Sequence, residues 1–146
     1  MPDPFDLDRF VVAQDAVLAQ VRAELERGRK TSHWMWFVFP QLAGLGNSAI
    51  ARHYAIGSIA EARAYGGHAV LGPRLIECVA LVNQVRLRSV HDIFGAPDDL
   101  KFHSCITLFE AVRPSEPVFP LAREKFFGGA ADGKTTALLA AMENRK

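Results

Sequence analysis

Apolar residues recur along the chain at intervals of three and four positions, the spacing that gathers side chains on one face of an α-helix. The longest such stripe comprises Val70, Leu71, Leu75, Cys78, Val79 and Val82. Most stripes begin at a residue that can cap a helix and end near glycine or proline. The pattern predicts an all-α fold, a single multihelical globular domain of about seven to nine short helices over 1–146. The predicted N-terminal arm is 1–5, and the predicted frayed C-terminus is 143–146.

The first two predicted helices follow one another closely. Asp6 is the expected cap of a short helix from Leu7 to Gln14, and Asp15 begins a longer one that ends at Gly28. The same reasoning places further helix starts at capping residues along the chain. These are Ser48, Ser58 with Glu61 in a capping box, Ser89, Asp98 and Asp132.

The block from His33 to Phe39 is almost wholly apolar and precedes Pro40, which cannot continue a regular element. Its composition fits either a buried helix or a short strand. In a helix, Trp34 and Trp36 lie on different faces, so only one of them can line a binding site.

Composition narrows the class of protein. The 146 residues are 49% hydrophobic and 23% charged, which suits one folded domain. A net charge of +1 gives no global attraction to nucleic acid or to an anionic membrane. No apolar run is long enough to span a bilayer. Cys78 and Cys105 lack CxxC spacing, so a reduced, cytoplasmic protein is expected.

The five histidines show neither HExxH nor paired i, i+4 spacing, so no metal site is predicted, and no cofactor is predicted either. The segment Gly44-Leu45-Gly46-Asn47 lacks the lysine and the glycine spacing of phosphate loops. It is interpreted as a turn.

A polar row at helical spacing supplies the candidate catalytic residues. Lys101 and Ser104 stand at i and i+3, close enough for an amine to take a hydroxyl proton, and Asp98 and Thr107 continue the row. The alternative is a solvated or structural helix face. Cys105 falls in the apolar stripe and is expected to be an inert core thiol.

The candidate ligand-binding residues flank the apolar block. His33, Trp34 and Trp36 offer rings that stack on a flat ligand, and Gln14 and Gln41 offer amides that read a polar edge. The alternatives are that the tryptophans are core residues, that the histidine bonds locally and that the glutamines tie helices together.

Arg29 and Lys30, with Arg27, form a basic turn that suits a phosphate or an RNA loop. Cations at a helix C-terminus also complement the helix dipole, which is the structural alternative. No other segment of the sequence extends this basic patch.

These residues favour a helical domain with one polar-lined pocket for a nucleotide-like or phosphorylated ligand. Its predicted walls are the tryptophan block, Gln14, Gln41 and the row from Lys101 to Ser104. The alternative is a non-catalytic module that binds protein or RNA, although nucleic acid is disfavoured by the charge. The oligomeric state is left open.

Several motifs together resemble the bacterial domain-of-unknown-function family numbered 1810, which includes mycobacterial members. They are Asp3-Pro4-Phe5-Asp6, Gly28-Arg29-Lys30, His33-Trp34-Met35-Trp36-Phe37-Val38-Phe39-Pro40-Gln41, Leu71-Gly72-Pro73-Arg74-Leu75 and Pro97-Asp98-Asp99-Leu100-Lys101. The resemblance implies a multihelical fold and carries no established activity. Ala16 stands where that family usually has proline.

A shorter likeness points to a second alternative. Phe10-Val11-Val12-Ala13-Gln14 is similar to the Phe-x-x-Ala-Gln helix of the NADAR family, whose members act on ADP-ribose linked to nucleobases. It implies an enzyme acting on ADP-ribose or a nucleotide derivative, by analogy. Asp15 stands where that family has a lysine.

Overall fold

The computed structural model describes residues 2–143 and contains ten α-helices, slightly more than predicted. They are α1 (Asp8–Asp15), α2 (Leu18–Arg27), α3 (Met35–Val38), α4 (Ala49–His53), α5 (Ile59–Gly66), α6 (Leu71–Gln84), α7 (Val90–Phe94), α8 (Asp98–Val112), α9 (Val118–Phe127) and α10 (Gly133–Glu143). Residues 2–143 contain no β-strand, so the all-α prediction is confirmed. Met1 and 144–146, part of the predicted terminal segments, lie outside the described residues.

Helices α6 and α8 form the centre of the fold. Helix α8 packs against α5, α7, α9 and α10, while α6 packs against α2, α5 and α9. The predicted stripe is buried along α6 from Leu71 to Val82, whereas its first member, Val70, precedes the helix and is exposed. Phe102 on α8 meets Phe39 and Phe94 through ring contacts of 5.2 and 4.9 Å between centroids. Each large apolar side chain buried in this core stabilises the fold by about 1.5–3 kcal/mol.

The start of the first helix differs from the prediction. Asp3, not Asp6, supplies the cap, because its carboxylate accepts hydrogen bonds from the amides of Leu7 and Asp8 at 2.8 and 2.9 Å. Asp6 instead occupies the turn before α1 with a φ of +51°. Gly28 ends α2 as predicted, in the left-handed conformation, but Asp15 is the last residue of α1 and α2 begins at Leu18 instead.

The capping residues Ser48 and Ser89 begin α4 and α7 as predicted, each accepting a backbone hydrogen bond. The capping box expected at Ser58 forms only in half. Ser58 caps the amide of Glu61, but the Glu61 carboxylate accepts from the amide of Gly57 and pairs with Arg9 at 2.9 Å. A partner 52 residues away therefore redirects this carboxylate.

A short backbone bridge pins the chain between α3 and α5. Leu42 and Ile56 form an isolated parallel β-bridge. The amide of Ala43 donates to the Ile56 carbonyl at 2.8 Å, and the amide of Ile56 donates to the Gln41 carbonyl at 2.9 Å. The segment between Leu42 and Ile56, which contains a loop and α4, is therefore a lobe whose two ends are joined by the bridge.

The tryptophan block is helical, which decides between the two predicted alternatives. Trp34 precedes α3 and is 1% exposed, whereas Trp36 lies within α3 and is only half-buried. The chain leaves the helix at Phe39, before Pro40.

A buried carboxylate fixes the segment that leads into this block. Glu24 on α2 accepts hydrogen bonds from the amides of Thr31 and Ser32 at 2.6 and 3.0 Å, from the Trp34 indole at 3.0 Å, and from Gln20 and the Ser32 hydroxyl. Burial raises the pKa of Glu24, but these hydrogen bonds, led by those of Ser32 and Thr31, outweigh it and lower the pKa to about 2. The carboxylate stays charged and ties the basic turn to α2.

Candidate functional site

The candidate site is a groove of about 470 Å³ between the loop before α4, the first turns of α8 and the start of α10. We call this cavity the lysine groove; its walls combine cationic, acidic, neutral polar and apolar side chains. They are Gln41, Leu45, Gly46, Asn47, Ser48, Ala51, Pro97, Leu100, Lys101, Ser104, Asp132 and Lys134. Three of the predicted site residues, Gln41, Lys101 and Ser104, therefore meet in one cavity.

Lys101 stands where the lysine groove adjoins a smaller cleft that includes Trp36. Its ammonium lies 5.0 Å from the centroid of the Trp36 ring and 3.5 Å from the Asp98 carboxylate. Asp98 also pairs with Lys30 at 2.8 Å. One carboxylate thus holds two ammonium groups, each near a tryptophan, since Lys30 lies 5.1 Å from the Trp34 ring.

Ser104 bonds to the backbone of α8 and to the residue that precedes α10, not to Lys101. Its hydroxyl lies within donor distance of the Leu100 carbonyl at 3.1 Å and of Asp132 Oδ2 at 3.0 Å. That carboxylate oxygen also accepts from the amide and the hydroxyl of Thr135, at 3.2 and 2.6 Å. Asp132 therefore caps α10, as predicted, and Ser104 braces the cap. In residues 2–143, Lys101 and Ser104 form no hydrogen bond with each other.

Lys134 adds a second cation at the opposite wall of the groove. It is exposed in the first turn of α10, where the helix dipole disfavours a positive charge. With Lys101 it places two cations on the walls of the groove, beside the carboxylate of Asp132.

Two of the predicted ligand-binding residues point into the core. Gln14 is 2% exposed, and its amide donates to the Phe37 carbonyl at 2.7 Å and to the Tyr65 hydroxyl at 3.0 Å. Trp34 is buried against Glu24. Both geometries match the structural alternatives, a glutamine that ties helices together and a core tryptophan.

The remaining predicted residues do not line the lysine groove. Lys30 and Asp98 form the ion pair behind Lys101, and the Lys30 side chain is only 7% exposed. His33 and Arg29 are exposed and do not line the groove. The basic turn is therefore linked to Lys101 through the Asp98 carboxylate, which pairs with Lys30.

Sequence reasoning missed the residues that reach the groove from distant segments. Lys134 carries a usable signal, because a lysine in the first turn of a helix opposes the dipole. Asn47 and Ser48 belong to the segment interpreted as a turn and a helix start, and they line the groove because that segment folds towards α8.

The structure does not favour thiol chemistry or metal binding. Burial raises the pKa of Cys78 to about 12, and that of Cys105 well above its ordinary value, so both thiols stay protonated in the core. Among residues 2–143, no group of three histidine, cysteine or acidic side chains is placed to hold a metal ion. Within the same residues, every helix is too short or too polar to cross a membrane.

Comparison with known proteins gives a family match and a close structure. The model of the family "Protein of unknown function (DUF1810)" matches residues 4–139. The crystal structure of the conserved hypothetical protein Rv1873 from Mycobacterium tuberculosis is 55% identical in sequence and superposes with a TM-score of 0.93. The match covers 94% of this chain and 99% of that chain. None of the curated proteins matches.

Proposed function

For this chain, which belongs to the family of proteins of unknown function DUF1810, we propose that the lysine groove binds a small nucleotide-like or phosphorylated ligand. The predicted membership and the multihelical fold are confirmed. The proposal rests on the shape and charge of the groove. We also propose a cytoplasmic location, which the two free, buried cysteines support.

The position of Lys101 carries this proposal. Lys101 lines both the groove and the Trp36 cleft. Its ammonium lies 3.5 Å from the Asp98 carboxylate, a distance longer than a strong charged hydrogen bond. An anionic group in the groove gains the Lys101 and Lys134 charges without breaking a tight ion pair. Pro97 and Leu100 offer the apolar surface that a flat ring or short aliphatic body requires.

Binding is better supported than nucleophilic catalysis at the predicted pair. A serine nucleophile needs a base to accept its proton, and the neighbour of Ser104 is an Asp132 oxygen that already accepts two hydrogen bonds from Thr135. Catalysis by Lys101 and Ser104 stays a prediction. It requires that Ser104→Ala abolish turnover of a ligand it still binds.

Lys101→Ala is expected to weaken ligand binding by about 10- to 100-fold, because one charged hydrogen bond contributes about 1.5–3 kcal/mol. The measurement is calorimetric titration of the purified chain with AMP, ADP-ribose, NAD and inorganic phosphate. Arg63→Ala, which removes an exposed cation from α5, is the matched control. No binding to any of the four compounds, or equal affinity in Lys101→Ala, would contradict the proposal.

Ligand binding is also expected to change the fluorescence of Trp36, since displacement of the Lys101 ammonium alters the charge 5.0 Å from its ring. The chain has two tryptophans, and Trp34 is buried against Glu24. The change should therefore persist in Trp34→Phe and vanish in Trp36→Phe. A response that survives in Trp36→Phe would place the ligand elsewhere.

A further inference from the structure

The connection between α6 and α7 projects a leucine into solvent between two arginines. Leu87 is fully exposed and has a φ of +63°, a conformation that side chains other than glycine rarely adopt. Arg86 and Arg88 are exposed on either side. An exposed leucine held in a disfavoured backbone conformation suggests a contact that is made with another molecule.

Both ends of this connection are fixed. Lys125 on α9 donates to the carbonyl of Val85 at 2.6 Å, which holds the residue that follows α6. At the other end, Ser89 and Asp92 form a complete capping box at the start of α7. The leucine is therefore presented by a short connection with little freedom to retract.

The basic turn after α2 packs against this connection. Gly28 has a φ of +72°, and a Cβ added to it would lie 2.9 Å from Val85 Cγ1 and 3.3 Å from Arg88 Cδ. Arg27 and Arg29 on either side of Gly28 are exposed. The sequence-based expectation that nothing extends the basic turn is therefore wrong.

We call Arg27, Arg29, Arg86, Leu87 and Arg88 the basic tip. Within residues 2–143, none of its four guanidinium groups takes part in an ion pair. The neighbouring carboxylates of Glu26 and Asp92 leave an excess of positive charge at this end of the molecule.

A second groove, of about 440 Å³, has the complementary character. Pro2, Pro4 and Phe5 supply apolar walls, and Asp3 and Asp8 supply carboxylates. The amides of Asp8 and Leu7 donate to the Asp3 carboxylate and lower its pKa, which keeps it charged. We call this cavity the acidic groove; it is large enough for a leucine side chain.

The two surfaces lie at opposite ends of α6. His68 lines the acidic groove and precedes the first residue of α6, Leu71, by three positions, whereas Leu87 follows its last residue, Gln84, by three. The 14 residues of α6 span about 20 Å. A molecule therefore cannot seat its own tip in its own groove, but a second copy can.

We propose that copies of this chain associate head to tail, with Leu87 of one copy in the acidic groove of the next and the tip arginines facing Asp3 and Asp8. The two surfaces differ, so the contact is heterologous and repeats into open chains. The contact is small, so it is weak, and exposed ion pairs make it sensitive to salt. This association is independent of ligand binding in the lysine groove.

Analytical ultracentrifugation of the untagged chain tests the association. At about 20 mM NaCl the average mass is expected to rise with concentration from 16.1 kDa past that of a dimer, and to return to the monomer at about 500 mM. A monomer at every concentration and salt would overturn the proposal. So would a mass that stops at the dimer.

Complementation between two variants tests the geometry. Leu87→Asp disrupts the basic tip and leaves the acidic groove intact. Asp8→Arg makes the acidic groove repel the tip and leaves the basic tip of the same molecule intact. Each alone is expected to be monomeric, and their equimolar mixture to form dimers and nothing longer. Leu121→Asp, which replaces an exposed apolar residue of α9 outside both surfaces, is the control and should associate as the unmodified chain does. A monomeric mixture, or undiminished association of Leu87→Asp, would refute the contact.

Discussion

Glu24→Gln is expected to lower the free energy of unfolding by about 3 kcal/mol and the Tm by about 10 °C. Glu24 is fully buried and accepts hydrogen bonds from Thr31, Ser32, Trp34 and Gln20. An amide keeps the shape but has a single acceptor oxygen, so it turns an N–H group towards donors that then lose their partner. Chemical denaturation followed by circular dichroism measures the loss.

The loss of stability caused by Glu24→Gln should become smaller as the pH falls. The pKa of Glu24 is lowered from 4.5 to about 2 in the folded protein, so its stabilisation is complete above pH 4.5 and is lost as the pH falls towards 2. The stability difference between Glu24→Gln and the unmodified chain should shrink over that interval. Glu26→Gln, which alters an exposed carboxylate on the same helix, is the control. Equal stabilities of the two variants at pH 7 would contradict the role assigned to Glu24.

Gly72→Ala should destabilise the fold by about 2 kcal/mol, although alanine ordinarily favours a helix interior by about 1 kcal/mol. A Cβ on Gly72 would lie 2.4 Å from the carbonyl oxygen of Gly66, so α6 and α5 would have to separate. That carbonyl also accepts a hydrogen bond from Arg113 at 2.9 Å. Thermal unfolding should show a Tm about 7 °C below that of the unmodified chain.

Gly133→Ala is the matched substitution without a clash. Gly133 is the first residue of α10, and an added Cβ would meet no atom within 4 Å. Its expected effect is a gain of up to about 1 kcal/mol. If both glycine variants gained stability, the close approach of α5 and α6 at Gly72 would be wrong.

The fold was predictable where the decisive interactions are local. The stripe of α6 and the end of α2 at Gly28 depend on residues within a few turns of one another, and both predictions are confirmed. The cap of α1 was assigned to Asp6, whereas Asp3 bends back over an irregular turn. The Glu61 carboxylate forms an ion pair with Arg9 instead of completing the capping box, and no local pattern reveals this long-range partner.

The site was predictable only in part, for the same reason. The spacing of Lys101 and Ser104 placed both on one face of α8, and the groove contains both. Gln14 was assigned to a ligand, but it bonds to Tyr65, which is 51 residues away. Lys134 meets Lys101 across the groove because α10 packs on α8, a contact that only the tertiary structure shows.

The backbone bridge between Leu42 and Ile56 gives the lysine groove a built-in reporter. The lobe it closes carries Leu45, Asn47 and Ser48, so we expect this wall of the groove to move away when the two hydrogen bonds donated by the amides of Ala43 and Ile56 break. Hydrogen–deuterium exchange at those two amides therefore counts openings of the wall. The ratio of the exchange rates without and with bound ligand would measure how far binding suppresses the opening of the lobe.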